Sequence, residues 1–373
     1  MINKLLNNTS KDYFILAYFI WVIFYVLINT NNFDYKETII FGASDGQNYL
    51  SITSASPKFS EEVIPYHHAQ RFLIPYIIGS FSKFFNTDNY FLIFKILSLI
   101  LIFYFLFLIF NFYKKNKKNI CPENFILITS VLLLNPYFIK YYFALPTLLN
   151  DLIFINILFL FCQNFTTDNK MKYYISIFSL LIKQTGILLV FILILQISFN
   201  NKQMFKKRLY KIFILLFVSF ALININNFYA SNVSDTKFDY GHIFGIFNWV
   251  KLDFNLPVLI KFTFYPILSF GPAILLIFFL KDKIKLIKSE NKYLLILLII
   301  MIIQPYLGGP TLTSNNIVRL VSLSYPVIFF LTINNKFKYI REFNIVFFFS
   351  ILFLHIWNLH PTYSIFSFFN KMG

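Results

Sequence analysis

Two polar segments of this chain carry residue types at spacings that suit reaction chemistry. The first reads Phe41-Gly42-Ala43-Ser44-Asp45-Gly46-Gln47-Asn48-Tyr49-Leu50. Ser44 with Gln47 three residues on fits a capping box. Asp45 then falls in the first turn of a helix, where backbone N–H groups favour a carboxylate. Tyr49, four residues later, shares its face. The plainer reading is an acid that only decorates a helix start. The second segment runs Pro65-Tyr66-His67-His68-Ala69-Gln70-Arg71-Phe72-Leu73-Ile74-Pro75. With a helix from Tyr66 onward, His67 and Arg71 lie one turn apart. Arg offers a two-pronged donor and His a proton-dependent one, which suits a phosphate or pyrophosphate. The plainer reading here is an Arg71 that reaches to lipid head groups. Adjacent His67 and His68 do not make the usual helical zinc pair.

Further charges sit at the margins of apolar runs. Asp151 opens one, in Thr147-Leu148-Leu149-Asn150-Asp151-Leu152, and an acid there is expected to face protein rather than lipid. Lys183 and Gln184 belong to a break, Lys183-Gln184-Thr185-Gly186, between two short apolar stretches, and Arg319 lies at the start of a late one. Each also reads as an ordinary boundary residue, cheap to remove. Taken together, Asp45, Tyr49, His67, His68, Arg71, Asp151, Lys183, Gln184 and Arg319 mix acids with bases on one side, as a site for a phosphorylated substrate needs. No P-loop, G-x-G-x-x-G, G-x-S-x-G, HExxH or CxxC motif is present, so no nucleotide cofactor is expected.

The elements that must carry these residues are membrane helices. Of 373 residues 58% are hydrophobic and 13% charged, against roughly 25% charged in a soluble domain. This composition excludes a soluble enzyme, a disordered chain and a fibrous protein. Long apolar runs with little alternation predict an all-α integral membrane protein of about 10–12 spans. The runs are Tyr13–Thr30, Tyr90–Tyr113, Phe125–Phe138, Leu148–Phe165, Tyr173–Ile182, Gly186–Phe199, Tyr210–Phe228, Pro257–Leu280, Tyr293–Leu307, Ile317–Ile333 and Phe343–His360. Tyr173–Ile182 and Gly186–Phe199 are short enough to form a tight helical hairpin or two half-buried helices. The net charge of +17 comes from lysine clusters between runs, as the positive-inside rule requires, so no nucleic-acid partner is expected.

Those clusters (Lys4 and Lys11, Lys114–Lys118, Lys170 and Lys172, Lys202–Lys211, Lys281–Lys292, Lys336–Arg341) place the N-terminus in the cytoplasm. The apolar stretch Arg71–Phe85 must then lie in the outer interface or re-enter rather than cross. Residues 1–373 read as a single polytopic membrane domain, with 31–89 as a first extracytoplasmic loop containing short interfacial helices. Glu61, Glu62, Asp235, Asp239, His242, Trp249 and Asp253 are also expected outside, the last five on a loop that caps the site. Cys121 and Cys162 are too few for a disulfide framework and receive no role.

With these residues in place, the chain resembles the GT-C class of polytopic glycosyltransferases, which use lipid-phosphate-linked sugars. It is most similar to bacterial relatives of the protein and lipid-A sugar transferases and to mannosyltransferases of the glycolipid-anchor pathway. Those families carry an outer-loop motif D-G-x-x-Y, matched by Asp45, Gly46 and Tyr49, then an Arg and a Pro, matched by Arg71 and Pro75. A later acid matches Asp151 after Asn135-Pro136. A K-x-T-G break matches Lys183, Thr185 and Gly186, and a late Arg ahead of a Pro matches Arg319 and Pro326. The double histidine departs from the family pattern, and no large soluble C-terminal domain follows.

The resemblance implies transfer of a hexose or pentose from a polyprenyl-phosphate donor to a lipid, glycan or protein acceptor, with inversion. The reaction would lie on the extracytoplasmic face of a bacterial plasma membrane. Arg71, Lys183 and Arg319 would hold the phosphate, and Asp45 would take the acceptor's proton. No cofactor is certain; a divalent ion would use Asp45 and Asp151. The competing classes are a polysaccharide polymerase or ligase of the outer membrane face, and a lipid or solute transporter. The first relies on outer arginines and a larger late loop, the second on charges at the bilayer midplane.

Overall fold

The computed structural model describes residues 2–29, 43–120, 122–135, 138–167, 169–199, 204–234, 245–249, 273–278, 291–309 and 319–333. Among them the regular structure is helical, with no strand. The helices are α1 (Ile2–Asn29), α2 (Ala43–Ala55), α3 (Tyr66–Ala69), α4 (Leu73–Phe84), α5 (Tyr90–Asn116), α6 (Pro122–Leu133) and α7 (Ile139–Ala144). They continue with α8 (Leu149–Thr166), α9 (Met171–Ile182), α10 (Ile187–Ser198), α11 (Phe205–Val233), α12 (Ala273–Phe278), α13 (Asn291–Leu307) and α14 (Tyr325–Thr332). Short 3₁₀ turns at Pro146–Leu148 and Gln184–Gly186 lead into α8 and α10, and a third spans Gly245–Trp249.

Three helices of the described residues are long and apolar enough to cross a membrane: Tyr90–Asn116, Pro146–Phe165 and Phe205–Val233. Shorter apolar helices cover Asp12–Tyr25, Pro122–Leu133, Met171–Ile182, Gln184–Ser198, Asn291–Leu307 and Arg319–Thr332. The expected spans Pro257–Leu280, apart from α12, and Phe343–His360 lie outside the described residues. So do Cys121, Asp235, Asp239, His242 and Asp253. Helix boundaries move where local chemistry allows. α11 runs past Phe228 to Val233, while α6 stops at Leu133, short of the expected Phe138. α5 starts at an Asn89 cap whose side chain accepts from Leu92 N–H, and it ends on Lys114 and Lys115, which suit the negative end of the helix dipole.

Chain direction alternates between two ends. At one end Lys117, beyond the close of α5, pairs with Asp12 in α1 at 3.2 Å. Lys172 at the start of α9 donates to Gln196 near the end of α10, and Arg208 at the start of α11 donates to the Ser198 carbonyl. At the other end the Ser98 hydroxyl of α5 reaches the Pro146 carbonyl, Asn226 of α11 reaches the Leu180 carbonyl of α9, and Ile64 N–H bonds to the Val233 carbonyl. α9 and α10 form the expected hairpin. Its tightness requires glycine at position 186, because a Cβ there would lie 2.6 Å from the Ser179 backbone.

The segment that follows Arg71 forms α4, only 12 residues long. At about 1.5 Å per residue it is far shorter than a bilayer core of about 30 Å. It lies against α2 so closely that a Cβ on Gly79 would fall 1.9 Å from the Thr53 carbonyl oxygen.

Aromatic side chains hold the interior together. Phe105 and Phe112 of α5, Phe159 of α8, and Phe329 and Phe330 of α14 pack together, with centroids 5.0–5.6 Å apart for the pairs of Phe159 with Phe105, Phe329 and Phe330, edge to face for Phe105 and Phe330 and tilted for Phe329. Phe125 of α6 joins the same cluster through Phe329. Other apolar side chains face outward: Ile96, Ile100, Phe103 and Phe107 on α5, and Phe213, Phe217, Phe220 and Phe228 on α11 are exposed.

Candidate functional site

The end of the molecule opposite Lys117 holds a buried cluster of charge. α2 begins at Ala43, two residues earlier than the capping-box pattern implies, so Ser44 lies within the helix, and Asp45 occupies its first turn. Asp45 is not a surface decoration: it is 7% exposed, and its side chain faces three cationic or hydrogen-bonding groups. Oδ1 receives His68 Nε2 at 2.8 Å, Oδ2 receives Arg319 Nη1 at 2.7 Å, and Arg71 Nη1 stands 4.0 Å from Oδ2. Burial alone would raise the Asp45 pKa. The Arg319 charge, the His68 hydrogen bond and the charges of His68 and Arg71 outweigh it and hold the carboxyl well below its ordinary value.

Arg319 joins this carboxylate to a second. It stands at the start of the apolar helical stretch Arg319–Thr332, and its Nε lies 3.2 Å from Asp151 Oδ2. That contact is within ion-pair range but out of line for a hydrogen bond, and both atoms are buried without a hydrogen-bond partner among the described residues. Asp151, in the first turn of α8, faces the interior, where Lys183 at the hairpin bend donates to its Oδ1. Both residues of that pair are almost fully buried. The order Asp45–Arg319–Asp151–Lys183 thus alternates in sign.

Arg71 braces the cluster from the side. Its Nε donates to Gln184 Oε1 at 2.7 Å and its Nη1 to the Tyr49 hydroxyl at 3.2 Å. Gln184 in turn donates to the His67 carbonyl and to Gln70 Oε1, and Asn150 Nδ2 donates to the Arg71 carbonyl. These bonds fix the 65–72 segment against the hairpin bend and the start of α8.

The structure corrects the expected histidine geometry. α3 is a single turn, Tyr66–Ala69, so His67 and Arg71 do not share a helical face. His68, not His67, reaches Asp45; the His67 ring packs on the His68 ring at 4.0 Å. Burial lowers the His68 pKa, and the Arg71 and Arg319 charges add to this, while its hydrogen bond and attraction to Asp45 offset part of it. His68 is therefore neutral near pH 7. The expectation that Lys183 and Arg319 are cheap boundary charges also fails, because each is buried against a carboxylate.

Asn48, Gln70, Asn150 and Asn227 belong to the site's support and were not singled out from sequence. Gln70 Nε2 donates to Asn227 Oδ1 on α11 at 2.6 Å, and Asn48 Nδ2 to His68 Nδ1 at 2.5 Å. Three of the four adjoin residues that were singled out, but amides are common throughout this chain and their neighbourhood alone marks them. Trp249 donates to the Tyr306 carbonyl, and Glu62 accepts from Ser51 at the surface; neither enters the charged cluster.

A divalent ion does not fit this arrangement. Among the described residues no group of three or more His, Cys, Asp and Glu side chains stands together as a metal site. Where a bridging cation would lie between Asp45 and Asp151, the Arg319 guanidinium already contacts both. With His68 neutral, three cations face two carboxylates, which leaves one unit of positive charge. Comparison with known proteins finds no matching family model, no matching curated protein and no matching solved structure.

Proposed function

We propose that this chain is a multi-pass membrane glycosyltransferase that moves a sugar from a polyprenyl-phosphate donor to a lipid, glycan or protein acceptor on the extracytoplasmic face. The observation that carries the reading is the convergence of Asp45, Arg71, Asp151, Lys183 and Arg319, spread over 275 positions of sequence, into one buried cluster with a positive excess. Burying five charges in a single place is costly unless they are paired and used. A residual positive charge there matches a single phosphodiester anion.

The membrane setting is supported by the outward apolar faces of α5 and α11. Exposed to water, such faces would be a large hydrophobic patch; against acyl chains they need no cover. The tie between Asp12 and Lys117 brings the first half of α1 to the Lys114–Lys118 cluster, in keeping with one cytoplasmic side for both; on this reading the charged cluster faces outside.

In this reading the donor's phosphate meets Arg71, Arg319 and Lys183, which stabilise charge as the glycosidic bond to phosphate breaks. Asp45 supplies the negative charge that stabilises positive charge arising beside it as the acceptor hydroxyl gives up its proton. The test is release of polyprenyl phosphate and transfer of label by the purified chain in nanodiscs, using polyprenyl-phosphate hexoses and pentoses with an envelope lipid-and-glycan extract as acceptor. The paired variant Asp45→Asn with Arg319→Gln removes both charges together and so avoids an uncompensated one. It is expected to stay folded and to lose transfer by about 10³-fold or more. A wild-type chain that releases no polyprenyl phosphate from any probe overturns the reading.

A further inference from the structure

We infer that His68 is the group that takes the acceptor's proton, through Nδ1, while Asp45 orients the ring and stabilises it once charged; this rests on the transferase reading above. The tautomer follows from the partners. Asp45 Oδ1, a carboxylate oxygen that only accepts, stands 2.8 Å from Nε2, so the ring proton sits on Nε2. Nδ1 of the neutral ring then carries the lone pair, and the Asn48 amide lies beside it at 2.5 Å. An imidazole whose N–H backs onto a carboxylate is a competent general base. Asp45 itself is poorly suited to that task, because the Arg319 guanidinium holds its other oxygen at 2.7 Å.

The Asn48 side chain that covers this nitrogen belongs to the same helix as part of a cavity wall. Asn48 is half-buried, and on α2 it adjoins Gln47 and lies three residues before Ser51. Gln47 and Ser51 line a cavity of about 510 Å³ together with Ser54, Glu62, Asp88 and Asn89. Hydroxyls, amides and carboxylates suit an acceptor bearing hydroxyl groups. Rotation of the Asn48 side chain would let such a hydroxyl replace the amide at Nδ1. The charged and titratable groups that face the His68 ring are Asp45 on α2, Arg71 after α3 and Arg319 ahead of α14. The His67 and Tyr49 rings lie 4.0 and 6.1 Å away.

The step balances within these groups. The acceptor oxygen bonds to the anomeric carbon, and the bond from that carbon to the phosphate oxygen breaks with its electron pair on the phosphate. The hydroxyl proton passes to Nδ1. The imidazolium rests against Asp45 until it returns the proton to the departing phosphate monoester or to water.

His68→Gln tests this, because a glutamine amide can keep an N–H toward Asp45 but offers no base. In the nanodisc assay above, turnover should fall by about 10²–10⁴-fold and the acidic limb of the wild-type rate profile should disappear, with the melting transition preserved. Asn48→Asp sets a carboxylate beside Nδ1 and should move that limb to higher pH. Turnover close to wild type in His68→Gln, with its acidic limb intact, would show that His68 only orients Asp45 and overturns the inference while the transferase reading stands. If His68→Gln does not fold, an unmoved limb in Asn48→Asp overturns it. A wild-type chain inactive on every probe removes both.

Discussion

At the scale of single residues, the buried charges are mutually dependent. Removing Lys183 alone leaves Asp151 with the misaligned Arg319 contact. Breaking a buried pair from one side costs about 3–5 kcal/mol, whereas replacing both partners by apolar groups of similar size is often near neutral. Lys183→Met should therefore destabilise strongly, and Lys183→Met with Asp151→Leu much less. Melting curves for the two singles and the double give the coupling directly, and equal additive losses would show that the pair does not act as a unit. Acid sensitivity belongs to the same scale. The folded-state pKa of His68 lies below its ordinary value of about 6.5. Below that pH the unfolded chain binds the proton before the native one does, so stability falls as pH drops. Asp45, held low in the native state, contributes stability above its ordinary value near 4 that is lost only at more acid pH. Thermal melts between pH 8 and pH 5 should decline in the wild type, and that decline should shrink in His68→Gln.

Asp45, Asp151, Lys183 and Arg319 could be singled out from sequence because a charge beside an apolar run has few reasons to be there. Their pairing could not, since Arg319 and Asp45 are 274 positions apart. The histidines were misassigned for a local reason: α3 ends after one turn, and Arg71 leaves the helix that the spacing assumed.

At the scale of elements, the position of α2 depends on how closely α4 approaches it. A methyl group on Gly79 would overlap the Thr53 carbonyl oxygen, which is backbone and cannot swing aside. Overpacking of this kind costs about 1–3 kcal/mol and more where backbone must move. Gly79→Ala should lower the melting temperature and, by tilting α2, weaken donor use although no charged residue is touched; unchanged melting would show that α4 can shift freely. Helix type and the α9–α10 hairpin were readable from apolar runs and the Lys183–Gly186 break. The end of α6 at Leu133 had a signal too, Asn135-Pro136 just beyond it, since the residue before a proline is biased away from helix, but the expected run carried on through it to Phe138. The aromatic cluster was hidden: with 52 Phe in the chain, composition does not say which ones meet.

At the scale of the whole molecule, the expected arrangement has the charged cluster and the Lys117 end on opposite sides of a bilayer. In a cysteine-free background of the full chain, a single cysteine at Lys58 or Glu61 should react with an impermeant maleimide added from outside, and one at Lys117 only after permeabilisation. Labelling of Lys117 from outside would invert the sidedness and move the charged cluster to the cytoplasm. The outward Phe and Ile faces of α5 and α11 predict strong dependence on lipid or detergent, seen as aggregation on detergent removal and recovery in nanodiscs.

The long span between Asp45 and Arg319 also sets a schedule for biosynthesis. At about 5–20 residues per second, the ribosome needs roughly 15–55 s after making Asp45 before it delivers Arg319. During that interval Asp45 has only its near neighbours, His68 and Arg71, while Asp151 receives Lys183 just 32 residues later. The two early partnerships shelter each acid as the nascent chain emerges, and Arg319 arrives last to join them.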